Sequence, residues 1–144
     1  MQTRLKRKRA TAIVETSEGI LITMMRYMAC SLPGGGVHPG ESDEDAVVRE
    51  LFEETGLVSE QTTFLFRYET LAHEHMVFWI KAHGTPEPGH EVDQLAYYRA
   101  GVSLNLSPET KKILDYFSRY KAAHPDLFEA LAAAETDRQI EHAG

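Results

Sequence analysis

The feature that most constrains the fold is the run from Gly35 to Leu57, GGVHPGESDEDAVVRELFEETGL, because it specifies one helix with both ends marked. Ser42, followed three residues later by Asp45, offers an N-cap with acid in the first turn, and Gly56 supplies a left-handed stop. The spacing predicts a helix from about Asp43 to Thr55. At ~100° per residue, Glu50 and Glu54 stack one turn apart and Glu53 lies ~60° to the other side of Glu50. Three carboxylates therefore share one stripe. Val47, Val48, Leu51 and Phe52 are expected on the opposite side, as core. Like charges gathered in this way cost stability unless something neutralises them.

A divalent ion of the magnesium type meets that need, since it takes hard oxygen ligands and shares its shell between carboxylates and substrate phosphates. Glu50, Glu53 and Glu54 are the expected ligands, with Mn2+ able to substitute for Mg2+. Arg49 stands four residues before Glu53 and can hold that carboxylate by a bidentate pair, leaving an oxygen aimed at metal or water. Gly34, Gly35 and Gly36 allow backbone to approach a polyphosphate closely, with Pro33 and Pro39 fixing the entry and exit of the loop. Glu41, ahead of the helix, has three open roles: cap, salt-bridge partner or outer metal ligand.

Written as a pattern, Gly35 is followed after five residues by Glu41, and after seven more by Arg49-Glu50-Leu51-Phe52-Glu53-Glu54-Thr55-Gly56-Leu57. This resembles the Nudix box at every defining position, and the resemblance to Nudix hydrolases covers roughly residues 8 to 122. It implies an α/β/α sandwich with a mixed sheet between helices, and metal-dependent hydrolysis of a phosphoanhydride. It also implies that the carbonyl of Gly35 can ligate the metal. In such families the general base comes either from the box helix or from a later loop, where Glu91 and then Asp93 are the candidates here.

At 144 residues the chain suits a single domain with one core, spanning residues 1–144. Its net charge of −7 conceals an asymmetry, because Arg4, Lys6, Arg7, Lys8 and Arg9 make the start strongly basic. Residues 1–8 read as a solvated basic arm leading into the first strand. The acidic body argues against broad nucleic-acid binding, so the expected partner is a small nucleotide. Cys30 is the only cysteine; it reads as a buried small apolar residue and excludes an intrachain disulfide. With no apolar leader and no membrane-length stretch, a reducing cytoplasm is the expected location and no membrane partner is expected.

Short β-like runs and helices alternate along the rest. Arg9 to Glu15 and Ile20 to Tyr27 read as strands around the turn Thr16 to Gly19, and Thr62 to Leu71 and His75 to Ala82 as a second pair. Met76 to Ile80 is apolar on both faces and is expected to be central. Ala96 to Ala100 reads as a strand, and Ser107-Pro108-Glu109 opens a helix to about Lys121. These elements suggest an α/β sandwich. Residues 125–144 form an extra helical segment with Leu127, Phe128 and Leu131 as its apolar stripe, open either to docking or to a homodimer contact.

Glu53, Glu50, Arg49 and Glu91 are thus the catalytic candidates, with Arg26, Gly34, Gly35 and Gly36 as substrate contacts and Glu50, Glu53, Glu54, Gly35 and Glu41 for the metal. Trp79 and Tyr68 read as core or as base-stacking rings. His73 and His75 alternate on one side of a strand, a spacing compatible with a metal pair but without an evident third ligand. Outside the box, the proline and tyrosine side signatures of ADP-ribose and dinucleoside polyphosphate hydrolases are missing, since His73 and Glu74 occupy that region. Ile20 to Thr23 is similar only to the beginning of the coenzyme A hydrolase extension. The chain is therefore similar to the MutT-like group, acting on a nucleoside triphosphate or a nucleoside diphosphate conjugate. ADP-ribose or a nucleotide sugar, an RNA 5′ end, and noncatalytic ligand sensing stay open.

Overall fold

The computed structural model describes residues 6–133. The chain divides between Thr110 and Lys111 into two compact units. The first holds β1 (Arg7–Ile13), β2 (Glu15–Thr16), β3 (Gly19–Met25), β4 (Gly34–Gly36), α1 (Asp43–Thr55), β5 (Val58–Glu69), β6 (His73–His83), β7 (Val92–Tyr98) and the opening of α2 (Pro108–Ala123). A four-stranded sheet runs β4-β1-β6-β5, with β1 and β6 parallel and the other pairs antiparallel. A second, antiparallel sheet runs β2-β3-β7.

The strand Met76 to Ile80 lies inside β6, between β1 and β5, which explains its apolar run. Ala10 and Ala12 on β1, Phe78 and Ile80 on β6, and Ala46, Val47 and Leu51 on α1 form one buried cluster with Leu21 of β3. Small residues on β1 let the helix lie close to the sheet. By strand alternation, Arg9, Thr11 and Ile13 project from the sheet face opposite that helix. The expected basic arm begins outside the described residues, and its later part is strand: Arg7, Lys8 and Arg9 belong to β1. Lys6 pairs with Glu69 at 3.1 Å and Lys8 with Asp43 at 3.3 Å, so two of these charges are spent on neighbours.

In the second unit, residues 125–133 are helical, and the rest of the expected C-terminal segment lies outside the described residues. Phe117 meets Phe128 edge-on at 5.8 Å, and Tyr120 stacks on His124 at 4.0 Å. Aromatic contacts of this kind close the turn between α2 and the helical stretch that follows. No helix among the described residues is long and apolar enough to cross a membrane.

Candidate active site

The ends of α1 are built as its sequence demands. Ser42 accepts a hydrogen bond from the Asp45 N–H at 3.0 Å, and Gly56, at φ 75°, donates its N–H to Phe52 O at 2.8 Å. The later loop completes the C-terminal end. The N–H groups of Glu87, Gly89 and His90 bond the carbonyls of Thr55, Glu54 and Glu53 at 2.9, 2.8 and 2.9 Å. These are carbonyls that a helix leaves without intrahelical partners. A Cβ on Gly89 would strike the Glu53 carbonyl, so glycine is what lets the loop seat there. Glu91 follows two residues on, exposed and in a left-handed conformation at φ 61°. The helix end bearing Glu53 and Glu54 and the loop bearing Glu91 are thus joined through backbone.

One expectation is overturned. Phe52 is 57% exposed, whereas Glu54 is only 4% exposed. The reason is angular: Glu54 comes seven residues after Val47, about two full turns, and so lies within ~20° of it around the helix. The carboxylate stripe is continuous with the core stripe, and Phe52 is turned to water. Glu54 reaches β4, where the Gly34 N–H donates to its Oε1 at 2.7 Å. Burial raises its pKa to about 7, helped by the nearby charges of Glu50 and Glu53 and opposed by the Gly34 bond and Arg9.

Arg49 has more partners than its spacing foretold. Its bidentate pair is with Glu41, at 2.8 Å from Nε and 3.0 Å from Nη2, instead of with Glu53. Nη1 donates to Glu50 at 2.8 Å and to Glu53 at 3.3 Å, and Nη2 also donates to the Gly36 carbonyl at 3.1 Å. One guanidinium therefore aligns two α1 carboxylates with the glycine strand. Glu41, bonded by Arg49 and by the His38 N–H, has its pKa lowered to about 2 and serves as salt-bridge partner. Gly35 is tight against Glu50: a Cβ there would meet the Glu50 carboxyl group. Glu50, Glu53 and Glu54 thus lie on the part of α1 that faces β4, and they offer oxygen donors of the kind a hard divalent cation takes.

Other expected contacts lie apart from this group. Arg26 is exposed in the turn after β3, its guanidinium 5.8 Å from the Tyr27 ring centroid. Trp79 is 7% exposed and donates its indole N–H to Glu15 at 3.1 Å, which makes it a core residue. Cys30 is buried, as its neighbours suggested.

Glu109 joins His73 and His75 although no spacing in the sequence points to it. The bonds Cys30 N–H to Asn105 O and Ser107 N–H to Cys30 O, both 2.8 Å, bring the opening of α2 into place, and Ser107 Oγ accepts from the Thr110 N–H at 3.2 Å. Glu109 then stands 3.0 Å from His73 Nδ1 and 2.9 Å from His75 Nε2, and accepts from Thr70 Oγ1 at 2.7 Å. Burial works to raise its pKa, but bonds from Thr70, His73 and His75 outweigh it and hold the value at about 2. Burial lowers the pKa of His75, with Glu109 opposing.

A helix that carries box carboxylates against a glycine strand, set on a mixed sheet, defines a Nudix-type fold. The chain belongs to the NUDIX domain family, whose model matches residues 5–130, and it is a Nudix hydrolase. It is similar to a candidate nudix hydrolase family member from Chromobacterium violaceum, with 30% identity over 99% of this chain and 100% of that one and a TM-score of 0.84. The E. coli ORF135 protein is 25% identical, covering 83% of this chain and 94% of its own, with a TM-score of 0.69. A protein from Bacillus subtilis named as a candidate 8-oxo-dGTP diphosphatase is 48% identical over 42 residues, which is 29% of this chain and 28% of that relative.

Proposed function

We propose that this hydrolase cleaves a phosphoanhydride bond in a nucleoside triphosphate, or in a nucleoside diphosphate linked to another moiety, with Mg2+ as cofactor and Mn2+ as substitute. The observation that carries the reading is Arg49, which links Glu50 and Glu53 of α1 to the Gly36 carbonyl. Glu50, Glu53, Glu54 and the Gly35 carbonyl would hold the metal, with Glu41 set behind them by its pairing to Arg49. When bound, the ion offsets charge that develops on the phosphate oxygens.

The chain's own residues do the remaining work. Glu53 is the least restrained of the three carboxylates, 38% exposed at its side chain and held by one long bond. It accepts a proton from the attacking water as the new oxygen–phosphorus bond forms and the bridging one breaks. Glu91 is the alternative base. Gly34 to Gly36 line the phosphate path, and Arg26, from its turn, meets a distal part of the substrate. The domain is read as one catalytic unit over residues 1–144, acting in the cytoplasm, and the apolar positions of the C-terminal segment are compatible with a homodimer.

Among substrates, oxidised purine nucleoside triphosphates come first, because the Bacillus subtilis relative is named for 8-oxo-dGTP. A hydrolysis screen with Mg2+ over nucleoside triphosphates, oxidised nucleotides, ADP-ribose, nucleotide sugars and triphosphorylated RNA tests this. Release of pyrophosphate or phosphate from a nucleotide is expected. A flat panel would overturn the reading.

A further inference from the structure

On the sheet face opposite the helix side of β1 lies a second group of ligand-type side chains, with chemistry unlike that of α1. We propose that His73, His75 and Glu109 form a binding site for a borderline transition-metal ion of the Zn2+ class, separate from the carboxylates of α1. Each offers one ligand atom, and these atoms all lie within 4.8 Å of one another; among the described residues this is the group of three that meets such spacing. His73 and His75 are two apart on β6 and so project to the same side. The two rings approach edge-on, with centroids 5.6 Å apart.

The separations suit an ion with little rearrangement. Glu109 lies 3.0 Å from His73 Nδ1 and 2.9 Å from His75 Nε2. Tetrahedral ligands at ~2.0 to 2.2 Å from zinc stand ~3.4 Å from each other, so a few tenths of an ångström are enough to open the site. Two imidazoles and one carboxylate favour zinc-class ions, whereas magnesium prefers oxygen ligands throughout. Three protein ligands leave a fourth position for water.

The groups behind the ligands are also of the kind metal sites carry. Thr11 Oγ1 lies 3.0 Å from His75 Nδ1, buried on the neighbouring strand, and can accept from Nδ1–H while Nε2 presents its lone pair. Thr70 Oγ1 donates to Glu109 Oε1, which also lies 3.0 Å from His73 Nδ1, while Oε2 lies 3.2 Å from His73 Nδ1 and 2.9 Å from His75 Nε2. Arg9, paired in register with His75, adds an opposing positive charge that the Glu109 carboxylate offsets. With two imidazoles and one carboxylate the group lacks the oxygen-rich donor set that Mg2+ prefers, so Zn2+ binding should persist in excess Mg2+.

The test uses the full chain, stripped with chelator and then titrated with Zn2+ by calorimetry and with Co2+ by visible absorption, both in excess Mg2+. One equivalent of ion is expected, with Co2+ bands of a four-coordinate nitrogen and oxygen site. His73→Ala and Glu109→Gln should each weaken Zn2+ binding more than ~10-fold, and Thr11→Val by ~10-fold, as loss of a supporting hydrogen bond does. Glu53→Gln should leave Zn2+ affinity within twofold. Because His73 is only half buried, its variant should fold, and circular dichroism checks this. No Zn2+ binding in excess Mg2+, or binding lost in Glu53→Gln but kept in His73→Ala, would overturn the proposal.

Discussion

Glu54 and Gly34 are joined across α1 and β4 by a 2.7 Å hydrogen bond from a backbone N–H to a carboxylate that is 4% exposed. A buried acid with a single backbone donor and two acidic neighbours is held at a cost, and that cost depends on pH. Its pKa is raised from 4.5 to about 7. Protonated Glu54 fits the fold, so the stability it allows is present in full below about 4.5 and is lost as pH rises to about 7. Metal-free protein should therefore lose up to about 3 kcal/mol across that window, and Mg2+ should restore much of it at the alkaline end. Thermal melts with and without Mg2+ check this, and Glu54→Gln should flatten the metal-free profile.

Gly35→Ala should lower turnover by about 100-fold, because the added methyl group meets the Glu50 carboxyl group and displaces this proposed metal ligand by about an ångström. Steady-state kinetics beside a melting curve separate this from unfolding. Gly89→Ala acts differently: its methyl group meets the Glu53 carbonyl, a backbone atom, and should cost about 1–3 kcal/mol of stability.

Arg49→Lys should cost between 10- and 100-fold in kcat with little loss of stability, since a lysine cannot reproduce the fork that serves Glu41, Glu50 and the Gly36 carbonyl together. The same variant should raise the pKa of Glu41 from about 2 toward its ordinary value, which carboxyl NMR titration reads directly.

Much of this architecture is legible in the sequence where the determinants are local. Ser42, Asp45 and Gly56 specify the bounds of α1 through contacts of three or four residues. The glutamate set is legible for the same reason, being one helix long. Helical periodicity already sets Glu54 within ~20° of Val47 and turns Phe52 away from the core stripe; what the sequence does not show is the β4 donor, the Gly34 N–H, that satisfies Glu54 where it is buried. The role of Glu41 as the bidentate partner of Arg49 depends on the loop path between Gly36 and Ser42. Glu109 is not legible because it stands 34 residues from His75, and bonds between Cys30 and the 105–107 segment, themselves long-range, help to bring it back. The signal that existed was the His73, His75 alternation, which asked for a third ligand without naming it.

Glu91→Gln should reduce turnover by less than about 10-fold and keep the acidic limb of the pH–rate profile, whereas loss of the general base removes 10²-fold or more. A profile whose acidic limb disappears in Glu91→Gln would transfer the role of base from α1 to the loop.

The most direct test of the central account is kcat for Mg2+-dependent release of pyrophosphate or phosphate from the best nucleotide, compared between the wild-type chain and Glu53→Gln. A fall of at least about 100-fold in kcat is expected, with KM changed only a few-fold. Turnover undiminished in Glu53→Gln, or equal in the wild-type chain with and without Mg2+, would contradict it.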